Sequence, residues 1–87
     1  MMKLSIIVCA YNERETILPV LERVHHAPLL PGWEREVIVV DNASTDGTQD
    51  LLRTVTYPDT TVVFQPRNMG KGTSIRTAIP RCTGDYA

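Results

Sequence analysis

The stretch that most limits the possible folds is Val37-Ile38-Val39-Val40-Asp41-Asn42-Ala43-Ser44-Thr45-Asp46-Gly47-Thr48, where an apolar β-branched run breaks into a small, polar, turn-rich cluster. A continuous apolar run suits a strand buried on both faces, the setting of parallel sheets covered by helices. Sheets of that class bind ligands at the carboxyl ends of their strands, on the loops that lead into the next helix. Residues 37–48 therefore predict a nucleotide-binding edge.

The rest of the chain repeats the pattern. Leu4-Ser5-Ile6-Ile7-Val8-Cys9-Ala10 predicts a first strand, with Tyr11-Asn12-Glu13 at its carboxyl end. Ile17, Leu18, Leu21 and Val24 recur at helical spacing and predict an amphipathic helix over residues 15–26. Pro19 is tolerable there only because first-turn N–H groups lack intrahelical partners anyway. His25 and His26 fall about 100° apart on this helix, too divergent for a metal pair, and read as solvent-facing residues favoured by the helix dipole. After a Pro- and Gly-containing loop, residues 34–40 restore the strand pattern, and the second strand ends at Asp41. Asp46, with Gln49 three positions on, has the spacing of a helix N-cap and its reciprocal partner, and Leu51, Leu52 and Val55 supply the stripe of a short helix.

Residues 61–64 predict a third strand, 65–72 a glycine-bearing loop, and 71–81 a third helix that turns Ile75, Ala78 and Ile79 inward. A further strand begins near Asp85. Strands alternating with helices at this spacing predict right-handed crossovers and an α/β domain, a three-layer αβα Rossmann-like parallel sheet. Eighty-seven residues make one domain at most, and the final Gly84-Asp85-Tyr86-Ala87 reads as a loop entering a new strand, so residues 1–87 are expected to be an incomplete domain.

Several functions are disfavoured. A net charge of −1 gives no electrostatic footprint for nucleic acid or an anionic membrane. The apolar run at 4–10 is far shorter than the ~20 residues of a bilayer span and predicts a core strand, with no membrane span in the chain. The two cysteines, Cys9 and Cys82, lack metal spacing and read as reduced thiols in a cytoplasmic-type setting. The dinucleotide fingerprint fails because Ala10-Tyr11-Asn12-Glu13 follows the first strand without a glycine. Gly70-Lys71 is no phosphate-cradling P-loop, since Gly72 stands where Ser or Thr is required. A calcium loop starting at Asn42 places Arg53 where a bidentate Glu is needed.

What remains is convergence. In a parallel sheet, Tyr11-Asn12-Glu13, Asp41-Asn42-Ala43-Ser44 and residues 68–72 gather at one edge. They offer an aromatic face for a base, carboxylate and amide groups for base and ribose, and a Gly-Lys turn for phosphates. Ser44 and Thr45 read as turn and cap groups, because no base is spaced to activate them. Asp41 is the residue least readily explained as structural.

Taken together, residues 5–13, residues 37–48, Arg67-Asn68-Met69-Gly70-Lys71-Gly72 and Ile75-Arg76-Thr77-Ala78 leading to Thr83-Gly84-Asp85-Tyr86 resemble the GT-A family 2 glycosyltransferases. Within them the chain is similar to the polyprenyl-phosphate, dolichyl-phosphate-type mannosyl- and glucosyltransferases. The resemblance implies a site for a UDP- or GDP-linked sugar, with Ala10, Tyr11 and Glu13 lining the base and ribose pocket, Asp41 and Asn42 bonding the base edge, and Lys71 near the nucleotide. It implies transfer of the sugar to an acceptor, for example a polyprenyl phosphate, at the cytoplasmic face of a membrane. It also implies Mg²⁺ or Mn²⁺ held by an Asp-x-Asp motif past Ala87, so that catalytic and metal-binding residues are expected outside this chain and the chain alone is expected to be inactive. The family usually shows Asp-Asp-Gly-Ser where this chain has Asp41-Asn42-Ala43-Ser44, which loses a charge at Asn42 but keeps an acceptor and leaves the base open. The competing expectation is a non-catalytic nucleotide-binding module that recruits a partner.

Overall fold

Residues 2–87 are described by a computed structural model. Strand β1 (Met2–Ala10) leads through a loop to helix α1 (Ile17–His26), then β2 (Trp33–Asp41), α2 (Thr48–Leu52), β3 (Thr60–Phe64), α3 (Lys71–Ala78) and a closing 3₁₀ turn (Ile79–Arg81). The strands are parallel in the order β1-β2-β3, with Ala10 beside Asp41 and Asp41 beside Phe64. That register brings the three strand ends level, so the loops that follow them share one edge.

Burial explains the continuous apolar run. Val37, Ile38, Val39 and Val40 are all 0% exposed. Alternate side chains serve opposite faces: Val37 and Val39 pack with Ile17, Leu21 and Leu52 under α1 and α2, whereas Ile38 and Val40 pack with Ala78 of α3. Each such side chain contributes about 1.5–3 kcal/mol when fully buried. The arrangement is the expected three-layer αβα sandwich. Beyond α3 the chain returns to the far side of β1, where Tyr86 forms a parallel bridge with Leu4 and its carbonyl accepts the Ser5 N–H at 2.7 Å. No described helix is long and apolar enough to cross a membrane.

Three local expectations need correction. His25 does not face solvent: its side chain is 6% exposed, stacked on Tyr57 at 3.7 Å, with Nδ1 at 2.7 Å from the Leu21 carbonyl and Nε2 at 2.7 Å from the Thr60 hydroxyl and 3.1 Å from Asp59. The imidazole thus fastens the end of α1 to the turn before β3, while the Arg35 guanidinium donates to the Val24 and Ala27 carbonyls left open at the same helix end. Second, α2 begins one residue later than the Asp46–Gln49 spacing implies. Gly47, at φ +101°, is the cap residue, Asp46 accepts the Thr48 N–H at 3.0 Å from one position further back, and Gln49 bonds to Asp41 instead. Third, α3 stops at Ala78 and turns inward Ser74 and Ala78, leaving Ile75 37% and Ile79 55% exposed. The reason is polar: buried Gln65 accepts the Ser74 hydroxyl at 3.1 Å and donates to Thr77 at 2.9 Å, which fixes the helix rotation.

Glu36 holds the returning segment. It accepts from the Ser5 hydroxyl at 2.6 Å and from the Thr83 N–H and hydroxyl at 2.8 and 3.0 Å. Burial pushes its carboxyl up, but the bonds from Ser5 and Thr83, with the charge of Lys3, outweigh that and hold it below the usual carboxylate range. A folded-state value below the unfolded one stabilises fully above the unfolded pKa of about 4.3 and is lost as pH falls through the folded value. Urea unfolding between pH 6 and pH 3 is therefore expected to show a shallower acid decline in Glu36→Gln than in the wild type; parallel declines would remove Glu36 from the acid response.

Candidate nucleotide site

Asp41 organises the edge from beneath. It is 0% exposed, and its oxygens accept the Ser44 hydroxyl at 2.5 Å, the Ser44 N–H at 3.0 Å and the Gln49 side-chain amide at 2.8 Å. The oriented Ser44 oxygen in turn accepts the Asn12 N–H at 2.9 Å. Three more bonds join the first loop to the second: Glu13 N–H to Thr48 at 3.0 Å, Arg14 N–H to Asp46 at 3.2 Å, and Thr45 N–H to the Asn12 side chain at 2.8 Å. The Thr48 hydroxyl bond leads the effects that hold the Asp46 carboxyl below its ordinary value, over the opposing push of burial. Both loops need left-handed backbone, at Asn12 (φ 51°) and Ala43 (φ 61°). Asn tolerates that region; for Ala it carries strain, at the position where the resembling family usually has glycine.

The third loop is tied in by amides. Asn42, 7% exposed, accepts the Met69 N–H at 2.8 Å and donates to the Asn68 side-chain oxygen at 2.9 Å, and that oxygen also accepts the Gly70 N–H at 3.1 Å. Helix α3 starts directly afterwards at Lys71.

A hollow of about 230 Å³ lies among these loops, lined by Cys9, Ala10, Tyr11, Glu13, Asn42, Lys71 and Ser74. Of the six residues expected from the sequence, Ala10, Tyr11, Glu13, Asn42 and Lys71 line it. Asp41 stands behind the wall with no exposed surface. Tyr11 is 44% exposed, a surface aromatic and not a core one. Cys9 and Ser74 were not anticipated; Ser74 follows Lys71 by three positions on α3, so the helical spacing alone carried the signal. Burial raises the Cys9 thiol pKa and the nearby Lys71 charge partly offsets it, leaving a poorly nucleophilic thiol. A second hollow of about 420 Å³, lined by Asn12, Glu13, Arg14, Glu15, Thr16 and Asp46, opens beside the first across Glu13.

Among the described residues no group of three or more His, Cys, Asp or Glu side chains is placed to hold a metal ion. Asp41 is consumed by three donors and Asp46 by Thr48 and Arg14, so the residues present do not fit a divalent cation.

β1 has β2 on one side and the Leu4–Tyr86 bridge on the other, so the strand order reverses at β1, whose carboxyl end carries Ala10 and leads into Tyr11. In open α/β sheets ligands bind in the crevice at such a reversal. The fold and the pocket thus define a doubly wound α/β domain with its ligand edge on the strand-to-helix loops.

The glycosyl transferase family 2 profile matches residues 5–87, and the chain belongs to that family. It is 30% identical over 93% of its length to a dolichyl-phosphate beta-glucosyltransferase from Trichomonas vaginalis, of which it covers 26%. It is 32% identical over 93% of its length to an undecaprenyl-phosphate 4-deoxy-4-formamido-L-arabinose transferase from Pseudomonas fluorescens, of which it covers 25%. Among solved structures it is similar to a mannosyltransferase from Pyrobaculum calidifontis in complex with GDP-Man and Mn²⁺, with a TM-score of 0.82 and 35% identity over 94% of this chain and 25% of that one. The chain spans about a quarter of the length of the relatives it matches.

Proposed function

We propose that this chain supplies the nucleotide-binding part of a glycosyltransferase that moves a sugar from a nucleoside-diphosphate sugar, UDP- or GDP-linked, to an acceptor such as a polyprenyl phosphate. The observation that carries the reading is the gathering of Ala10, Tyr11, Glu13, Asn42 and Lys71 around one hollow at the carboxyl edge of the sheet. In this reading Tyr11 offers its ring to the base, the Glu13 carboxylate accepts from ribose hydroxyls, and Lys71 with the unpaired first-turn N–H groups of α3 faces the diphosphate. Asp41 serves the base edge through the loop that it shapes. Two of the relatives, named for dolichyl phosphate and undecaprenyl phosphate, support the acceptor class. In an enzyme of this kind a divalent cation, Mg²⁺ or Mn²⁺, would supply Lewis-acid neutralisation of a diphosphate leaving group, and the described residues are not placed to hold it. Such an enzyme works at the cytoplasmic face of a membrane.

Calorimetric titration with GDP and UDP tests the pocket. Binding of at least one nucleotide is expected, weakened about tenfold in Lys71→Ala by loss of a charge-assisted contact. A folded chain that binds neither nucleotide would rule the pocket out.

A further inference from the structure

The polarity of the Asn42–Asn68 pair is fixed by backbone donors. The Met69 N–H can only donate, so the Asn42 atom it meets at 2.8 Å is the carbonyl oxygen. The other Asn42 atom is then the NH₂ group, which donates to Asn68 at 2.9 Å. Asn68 must present its oxygen, and the Gly70 N–H at 3.1 Å independently requires the same orientation. Both polar ends of Asn42 are therefore engaged by the loop that delivers Lys71, on a side chain that is 7% exposed.

We propose that Asn42 is a positioning residue, which ties the Asn68–Met69–Gly70 turn and so Lys71 to the strand edge, and that it acts on the diphosphate end of the ligand without reading the base. This rests on the nucleotide-pocket reading above. The bonds make the pair directional. In Asn42→Asp the new oxygen faces the Asn68 oxygen; Asn68 must turn its NH₂ group toward it, and that group then confronts the Gly70 N–H, donor against donor. In Asn68→Asp both donors, the Asn42 NH₂ group and the Gly70 N–H, keep an acceptor. The two variants add the same charge at atoms 2.9 Å apart, so a difference between them reports bond polarity and not charge.

The test is a ¹⁵N NMR titration of the wild-type chain and both variants with GDP and UDP, and with guanosine and uridine, combined with amide exchange at Gly70. Asn42→Asp is expected to weaken the better diphosphate about tenfold, to leave its nucleoside within about twofold, and to speed Gly70 exchange about tenfold or more. Asn68→Asp is expected to weaken the diphosphate no more than about threefold, with Gly70 exchange near wild type. Equal losses for nucleoside and diphosphate in Asn42→Asp would make Asn42 a base reader and overturn the proposal, as would identical behaviour of the two variants. A wild-type chain that binds no nucleotide sinks the pocket reading. The tether to the glycine loop is then decided by Gly70 exchange alone, and unchanged exchange in Asn42→Asp overturns it.

Discussion

Asp41→Ala is expected to lower the melting temperature by about 15–30 °C. The Ser44 N–H and the Gln49 amide lose their acceptor, the Ser44 hydroxyl loses its orientation, and a void opens where a 0%-exposed carboxylate stood. An unsatisfied buried donor costs about 1–3 kcal/mol, so two of them with the void amount to about 3–5 kcal/mol. An 87-residue domain has only about 4–13 kcal/mol in total, and each kcal/mol moves the midpoint of a chain this size by about 4–8 °C. Asp41→Asn is expected to fall between, because a carboxamide offers one acceptor and turns a second donor on its neighbours. Thermal melts by circular dichroism decide it: a midpoint for Asp41→Ala within about 3 °C of wild type is incompatible with this role. One corollary concerns binding. Lost nucleotide affinity in Asp41→Ala does not identify a base contact, since Ser44, Asn12 and the backbone beside Tyr11 move with it.

Gly84→Ala is expected to detach the returning segment from β1. A Cβ built at Gly84 meets the Ser5 hydroxyl at 2.5 Å and the Lys3 carbonyl and Ser5 nitrogen at 2.9 Å. Two of these are backbone atoms of a paired strand and cannot yield without breaking the β1 ladder. Crowding of this kind costs about 1–3 kcal/mol, and the bonds from Tyr86 and Asp85 to β1 are lost with it. The chain reports this itself, because its single tryptophan, Trp33, packs against Tyr86 with ring centroids 5.6 Å apart. A red-shifted Trp33 emission with faster Ser5 amide exchange is expected, while the loops around Tyr11 and Lys71 stay as they are. Unchanged emission and exchange would mean that the segment accommodates the methyl group.

What was legible in the sequence is what short-range chemistry decides. The run from Val37 to Val40 announces a doubly covered strand because each residue must be apolar on whichever face it meets, and the strand-helix alternation then leaves little choice of topology. The pocket was legible for the same reason: once strands are parallel, residues that follow them meet at one edge. The misreadings share a different cause. His25 lost its solvent to Tyr57, Asp59 and Thr60, more than thirty positions away. Gln49 chose Asp41, eight positions back, over Asp46. The rotation of α3 follows Gln65, a residue that no helical periodicity includes. Asp41 reads in the sequence as the residue least readily explained as structural, yet the fold aims its oxygens at Ser44 and Gln49; the sequence has no way to tell an acceptor aimed at a ligand from one aimed at its own loop.

The four bonds that join the loop after β1 to the loop after β2 have a consequence for remodelling the site. Three run from backbone N–H groups of one loop to side chains of the other, and the fourth runs in the opposite sense. Neither segment is therefore a self-contained cassette: a graft of residues 11–14 without an acceptor at Asn12 strands the Thr45 N–H of the host, and a graft of residues 42–48 without acceptors at Ser44, Asp46 and Thr48 strands three backbone donors of the host. A chimera of this edge has to match the two loops to each other.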